Sequence, residues 1–105
     1  MSTIKLIALD MDGTLLNSNH TVDDRTKEAI RKALEQGVHV VLSTGRSIQT
    51  CYSYAEELGL TSYLVTCNGG EVWTMKKELL ERHILETDIV EKLWNLGSGL
   101  GVYMW

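Results

Sequence analysis

The sequence predicts an α/β fold built on a parallel sheet. Three observations carry that prediction: short apolar runs that stop at polar loops, amphipathic stretches between them, and a glycine after each of the first two helical stretches. Residues 4–9 form a nearly continuous apolar run, which suits a strand covered on both faces, and the run ends at Asp10. After a polar stretch through His20, Asp23 is placed to cap a helix whose Ala29, Ile30, Ala33 and Leu34 share one face and which Gly37 stops. Residues 38–42 are a second, β-branched run. Ser47 then caps a helix with Ile48, Cys51, Tyr52, Ala55 and Leu58 inward before Gly59. A third run, Tyr63, Leu64, Val65 and Thr66, leads into Cys67, Asn68, Gly69 and Gly70. Strand, helix, strand, helix, strand in this order is the signature of right-handed parallel crossovers.

The pattern then changes. Residues 71–75 and 79–84 alternate as a hairpin across Lys76 and Lys77, although that turn lacks Gly or Asn. Thr87 caps a helix with Ile89, Val90, Leu93 and Trp94 on one stripe; Gly97 stops it, and residues 100–105 begin another strand. A first strand apolar on both faces belongs inside a sheet, yet only two further parallel strands follow. The expectation is a chain whose open edge is completed by a longer protein or by another chain.

Composition narrows the class. The chain has 105 residues, 10 Lys+Arg against 14 Asp+Glu and a formal charge of -4, the size of one small domain. That balance gives no footprint for nucleic acid, whose binding relies on clustered cations. No apolar run approaches a membrane span, and Met1, Ser2 and Thr3 do not open a secretory signal, so a cytoplasmic protein without a membrane partner is expected. The two cysteines, Cys51 and Cys67, read as reduced core residues. His20, His39 and His83 lack metal-ligand spacing and read as surface or structural. Trp73, Trp94 and Trp105, with Tyr103 and Met104, read as core packing.

Chemistry concentrates where the three parallel strands end. Asp10 and Asp12 stand two apart at the end of the first strand, where open α/β sheets bind ligands; on an extended chain they face the same side, and Gly13 permits a sharp departure. Such a pair suits a divalent cation, or a nucleophile beside a proton carrier; an acidic turn is the plain alternative. Ser43, Thr44, Gly45, Arg46 and Ser47 bring a hydroxyl, a backbone N–H and a helix N-terminus to one point, which is either an anion site or an ordinary capped loop. Asn68, Gly69 and Gly70 alone read as a turn. Three such strand ends in register exceed a coincidence of turns.

The runs LIALDMDGTL at residues 6–15, VVLSTGR at residues 40–46 and TCNGG at residues 66–70 together resemble the haloacid dehalogenase-like (HAD) superfamily of aspartate-nucleophile phosphatases, in its Cof-type branch. The resemblance implies a Rossmann-like core over residues 1–84, hairpin included, and the start of an inserted α+β cap over residues 85–105. It implies Asp10 as the nucleophile and a Mg²⁺ ligand through its side chain. Asp12 would be the general acid/base and a metal ligand through its backbone carbonyl. Thr44 and Gly45 would hold the transferring phosphoryl group, and Arg46 and Asn68 would shape the substrate phosphate site. The implied activity is Mg²⁺-dependent hydrolysis of small phosphorylated metabolites, sugar phosphates among them, through an aspartyl-phosphate. A dianionic phosphate repels a carboxylate nucleophile, so a cation and fixed donors must offset the charge. By this reading Asp10→Asn abolishes turnover and Asp12→Asn nearly does.

The family's later phosphate-binding Lys and its acidic GDxxND-like metal segment are absent from this sequence, and Lys76, Lys77 and Lys92 sit away from the strand ends. Family members are more than twice as long. The expectation is a truncated chain with half a site and weak metal and phosphate affinity. A phospho-accepting receiver domain would need an Asp at the end of the third strand, where Thr66, Cys67 and Asn68 stand instead. The remaining alternative is a non-catalytic piece that forms a homodimer through its exposed strand edge and unfinished cap.

Overall fold

The computed structural model describes residues 3–101. Strands β1 (Leu6–Leu9), β2 (His39–Ser43) and β3 (Tyr63–Thr66) are parallel, with Leu9 opposite Leu42 and Leu42 opposite Leu64. A hairpin of β4 (Glu71–Thr74) and β5 (Leu79–Arg82) continues the sheet antiparallel, in the order β1-β2-β3-β4-β5. Helices α1 (Asp24–Glu35) and α2 (Ile48–Glu57) supply the crossovers. Both pack on one face: Ile30 of α1 and Cys51 and Ala55 of α2 join Val40, Leu42 and Leu64 in a single buried cluster. This is the α/β architecture that the apolar runs predicted, parallel over its first three strands and closed by the predicted hairpin.

The helix boundaries follow local chemistry. Asp23 is the N-cap of α1, but its carboxylate accepts from Asn17 Nδ2 at 2.7 Å instead of capping the helix. Gly37 adopts φ 80° just past the end of α1, a conformation that glycine takes at no steric cost. The exposed side of α1 carries the Glu28, Arg31 and Glu35 ion pairs, and Lys27 bridges to Glu57 of α2 at 2.7 Å.

Several expectations are corrected. β1 lies at the sheet edge, paired to β2 alone among the described residues, and its alternation leaves Leu6 54% exposed. No described element covers its second face. The last helix, α3 (Thr87–Leu100), has Glu86 as N-cap and runs through Gly97 to Gly101, whose φ of 70° ends it. An internal glycine costs a helix only about 1 kcal/mol, so Gly97 weakens α3 without stopping it. Leu100 is therefore helical instead of opening a strand; residues 102–105, with Tyr103, Met104 and Trp105, lie outside the described residues, as do Met1 and Ser2. Cys51 is buried, and burial pushes its thiol pKa up, but Cys67 is exposed because β3 ends one residue earlier and the alternation ends with it. Trp73 packs against the core as expected, whereas Trp94 is largely exposed. No helix among the described residues is long and apolar enough to cross a membrane.

Candidate active site

The carboxyl ends of β1, β2 and β3 deliver three loops to one end of the sheet, the end at which open α/β sheets bind ligands. After β1 the chain does not stay extended. Leu15 N–H donates to the Asp10 carbonyl (3.2 Å) and Leu16 N–H to the Met11 carbonyl (2.9 Å), which closes a wide, π-type turn over Met11–Leu15. Met11, Leu15 and Leu16 anchor it in the core, while Gly13 at φ 79° makes the reversal. The expected placement of both carboxylates on a continuing strand thus gives way to a turn with Asp10 at its cap and Asp12 within it. Asp10 Oδ1 accepts the Met11 N–H at 2.9 Å, and both carboxylates are exposed.

Asp12 is held from across the site. Arg46 donates to it through Nε and Nη2, each bond 2.8 Å, a planar fork onto both carboxylate oxygens. The Arg46 hydrogen bonds hold the Asp12 carboxyl below its ordinary range; partial burial opposes this, and the charges of Arg46 and His20 add to it. The fork therefore favours the charged carboxylate, the form that accepts a proton. Arg46 is in turn fixed by the helix that follows it, α2: Nη1 donates to the Thr50 carbonyl at 3.3 Å, and the guanidinium lies 5.4 Å from the Tyr54 ring centroid.

The second and third loops are stitched together by backbone. Thr44, buried, accepts the Arg46 N–H on Oγ1 at 3.0 Å, and its carbonyl accepts the Asn68 N–H at 3.0 Å. The Arg46 carbonyl accepts the Cys67 N–H at 2.9 Å. Cys67, Asn68 and Gly69 are all left-handed, with φ of 52°, 56° and 90°, and this run of unusual backbone aims Asn68 back at the second loop. A Cβ on Gly45 would stand 3.0 Å from Asn68 Oδ1, so glycine lets the two loops meet this closely without shifting the asparagine side chain.

Direct contacts thus join Asp12, Thr44, Gly45, Arg46 and Asn68. Asp10 reaches the same sheet end through β1, but among the described residues its carboxylate hydrogen-bonds only its neighbour's amide. Two further residues escaped the sequence reading. His20, at φ 58°, brings Nδ1 to 3.9 Å from Asp12 Oδ1, and Tyr54 donates its hydroxyl to the His20 carbonyl at 2.8 Å. The left-handed His20 turn has only one local hint, Asn17, whose Oδ1 accepts the N–H of both Asn19 and Thr21. Among the described residues no group of three or more His, Cys, Asp or Glu is placed to hold a metal. The oxygen atoms at the site include those of the Asp10 carboxylate and of the backbone of the turn.

Residues 7–105 match the profile of the haloacid dehalogenase-like hydrolases. The 5-amino-6-(5-phospho-D-ribitylamino)uracil phosphatase YcsE of Bacillus subtilis is 47% identical over 102 residues, covering 97% of this chain and 41% of that protein. The HMP-PP phosphatase of Escherichia fergusonii is 34% identical over 103 residues, covering 94% of this chain and 38% of that protein. The solved structure of a haloacid dehalogenase-like hydrolase from B. subtilis superposes with a TM-score of 0.83 at 32% identity, over 93% of this chain and 34% of that one. The chain spans about two fifths of the length of the curated relatives it matches.

Proposed function

The chain belongs to the haloacid dehalogenase-like hydrolases, and from that premise we propose that it carries the nucleophile-bearing part of a Mg²⁺-dependent phosphatase for small phosphorylated metabolites. The observation that carries this reading is the meeting, at one sheet end, of an exposed carboxylate on a wide turn with a threonine–glycine loop and an asparagine loop. Residues 1–84 are read as the core with its hairpin, and residues 85–105 as the beginning of a cap.

In this reading Asp10 attacks phosphorus, the bond to the leaving oxygen breaks, and Asp12, which enters this step protonated against the preference of the Arg46 fork, gives that oxygen its proton. Asp12, again a carboxylate, then takes a proton from the water that attacks the aspartyl-phosphate and restores Asp10. Thr44 Oγ1, the Gly45 N–H and Asn68 face the transferring group and fix its oxygens. Mg²⁺ binds through only one or two carboxylates, completing its shell with water and substrate phosphate, so the sparse donor set here fits it. The Asp10 side chain and the Asp12 carbonyl would hold it. When bound, it would offset the charge that otherwise keeps a carboxylate away from a phosphate dianion. The names of the two relatives support a small phosphorylated substrate.

The test is hydrolysis of an aryl phosphate with and without Mg²⁺, by this chain and by its Asp10→Asn variant. Mg²⁺-dependent turnover that the variant lacks is the expected result. Equal turnover in the two would overturn Asp10 as nucleophile.

A further inference from the structure

Arg46 follows the phosphate-binding threonine and glycine in sequence, so it reads as a phosphate ligand. Three of its five N–H groups are otherwise engaged. Nε and Nη2 are spent on the two oxygens of Asp12 and Nη1 on the Thr50 carbonyl, while the ring of Tyr54 lies against the guanidinium. Thr50 and Tyr54 both belong to α2, the helix that begins two residues after Arg46, so helix and side chain form one braced unit. Its side chain is 24% exposed, whereas that of the Asp12 it grips is 51% exposed. Tyr54 extends the brace, because its hydroxyl ties down the loop that carries His20 beside Asp12.

We infer that Arg46 is a positioning residue: it acts on the reaction through Asp12, fixing the orientation of that carboxylate, with Tyr54 as its backstop. This rests on the phosphatase reading and deepens it. A carboxylate on an exposed turn would otherwise sample several rotamers, and a proton carrier misplaced by about 1 Å loses on the order of 10²-fold in rate. A planar fork fixes both oxygens at once, whereas an ammonium gives a point charge and no plane. The phosphoryl charge is then left to Thr44, the loop amides and the metal.

Two measurements on the 105-residue chain test this, one of which needs no catalysis. In the first, the Arg46 Nε–H resonance is followed by NMR while inorganic phosphate and Mg²⁺ are added. The expected signal is slow to exchange with solvent, unmoved by phosphate, and faster to exchange by on the order of tenfold in Asp12→Ala, where the fork has no acceptor. A resonance that shifts with phosphate and ignores Asp12→Ala overturns the inference. Because Asp12 is exposed, Asp12→Ala keeps the fold; Tyr54→Phe, which retains the ring, checks the brace separately. In the second, Arg46→Lys and Arg46→Ala are expected to lower kcat for an aryl phosphate by on the order of 10²-fold with KM within about twofold. A raised KM at unchanged kcat makes Arg46 a substrate ligand and overturns the inference. A parent chain without Mg²⁺-dependent turnover fails the phosphatase reading instead, and the NMR result alone then decides how Arg46 and Asp12 are joined.

Discussion

A single methyl group at Gly45 would land 3.0 Å from Asn68 Oδ1, tighter than most side chains pack, so Asn68 would have to give by a few tenths of an ångström. Asn68 has to yield through its side chain, because its N–H is bonded to Thr44 and its backbone is held between Cys67 and Gly69 in left-handed conformations. Gly45→Ala should therefore turn the Asn68 amide away from the second loop and, on the phosphatase reading, lower turnover by less than the about 10²-fold that a misplacement of about 1 Å costs. Asn68→Ala removes the obstacle. If Gly45→Ala is no worse in the Asn68→Ala background, the clash is the cause; equal losses in both backgrounds would place the damage in the loop backbone itself. At this scale the placement of Asp10, Asp12, Thr44, Gly45 and Asn68 at one sheet end was legible in the sequence because each follows closely on a strand. The grip of Arg46 on Asp12 and the brace from Tyr54 to His20 each join residues 34 apart. Such pairings depend on how α2 lies against the first loop, which no local pattern encodes.

Elements fail or hold at their ends, and the β4–β5 turn shows how a sequence without Gly or Asn still closes a hairpin. Lys77 takes the left-handed position at φ 63°, and the Thr74 hydroxyl accepts the N–H of both Lys76 and Glu78, which substitutes side-chain bonding for the missing turn residues. The Lys77 ammonium also sits 4.4 Å from the Tyr52 ring centroid. Left-handed backbone costs an ordinary residue about 1–2 kcal/mol, and an exposed cation–π contact returns about 0.5–1 kcal/mol. Lys77→Gly is thus expected to stabilise the chain by less than about 1 kcal/mol in urea denaturation, and a loss of stability would mean that the ring contact dominates. Across the same hairpin Arg82 bonds Glu71 Oε2 at 2.8 and 3.1 Å, and these bonds hold the Glu71 carboxyl below its ordinary 4.5. A lowered carboxyl pKa contributes stability that is fully present above the ordinary value and lost as pH falls through the lowered one. Arg82→Ala should accordingly lower Tm at neutral pH, with the gap to the parent closing in acid; a gap independent of pH would show that the pair contributes through packing. Helix stops were legible only where the glycine also takes positive φ: Gly37 does, Gly97 does not.

The described residues extend 51 × 31 × 30 Å with a radius of gyration of 16.8 Å, against about 13 Å for a compact chain of this size. The excess comes with α3, whose Ile89, Val90, Leu93, Trp94, Leu96 and Leu100 all remain between 41% and 69% exposed. Periodicity revealed that α3 is amphipathic, but an apolar stripe does not say what it packs against, and the same holds for the outer edge of β1. Stability should therefore be unevenly distributed. The cluster around Leu42 and Leu64 is fully buried, so Leu42→Ala is expected to cost about 2–5 kcal/mol by lost burial and a residual cavity. Leu93→Ala removes a side chain that meets few others and should change stability by no more than about 0.5 kcal/mol. Hydrogen exchange gives the same contrast without mutation: amides of β2 and α2 should exchange only through global opening, and those of α3 through local fraying at far lower free energy. Protection in α3 equal to that in β2, together with a Leu93→Ala cost above about 2 kcal/mol, would mean that the stripe is covered in solution and that α3 belongs to the cooperative core.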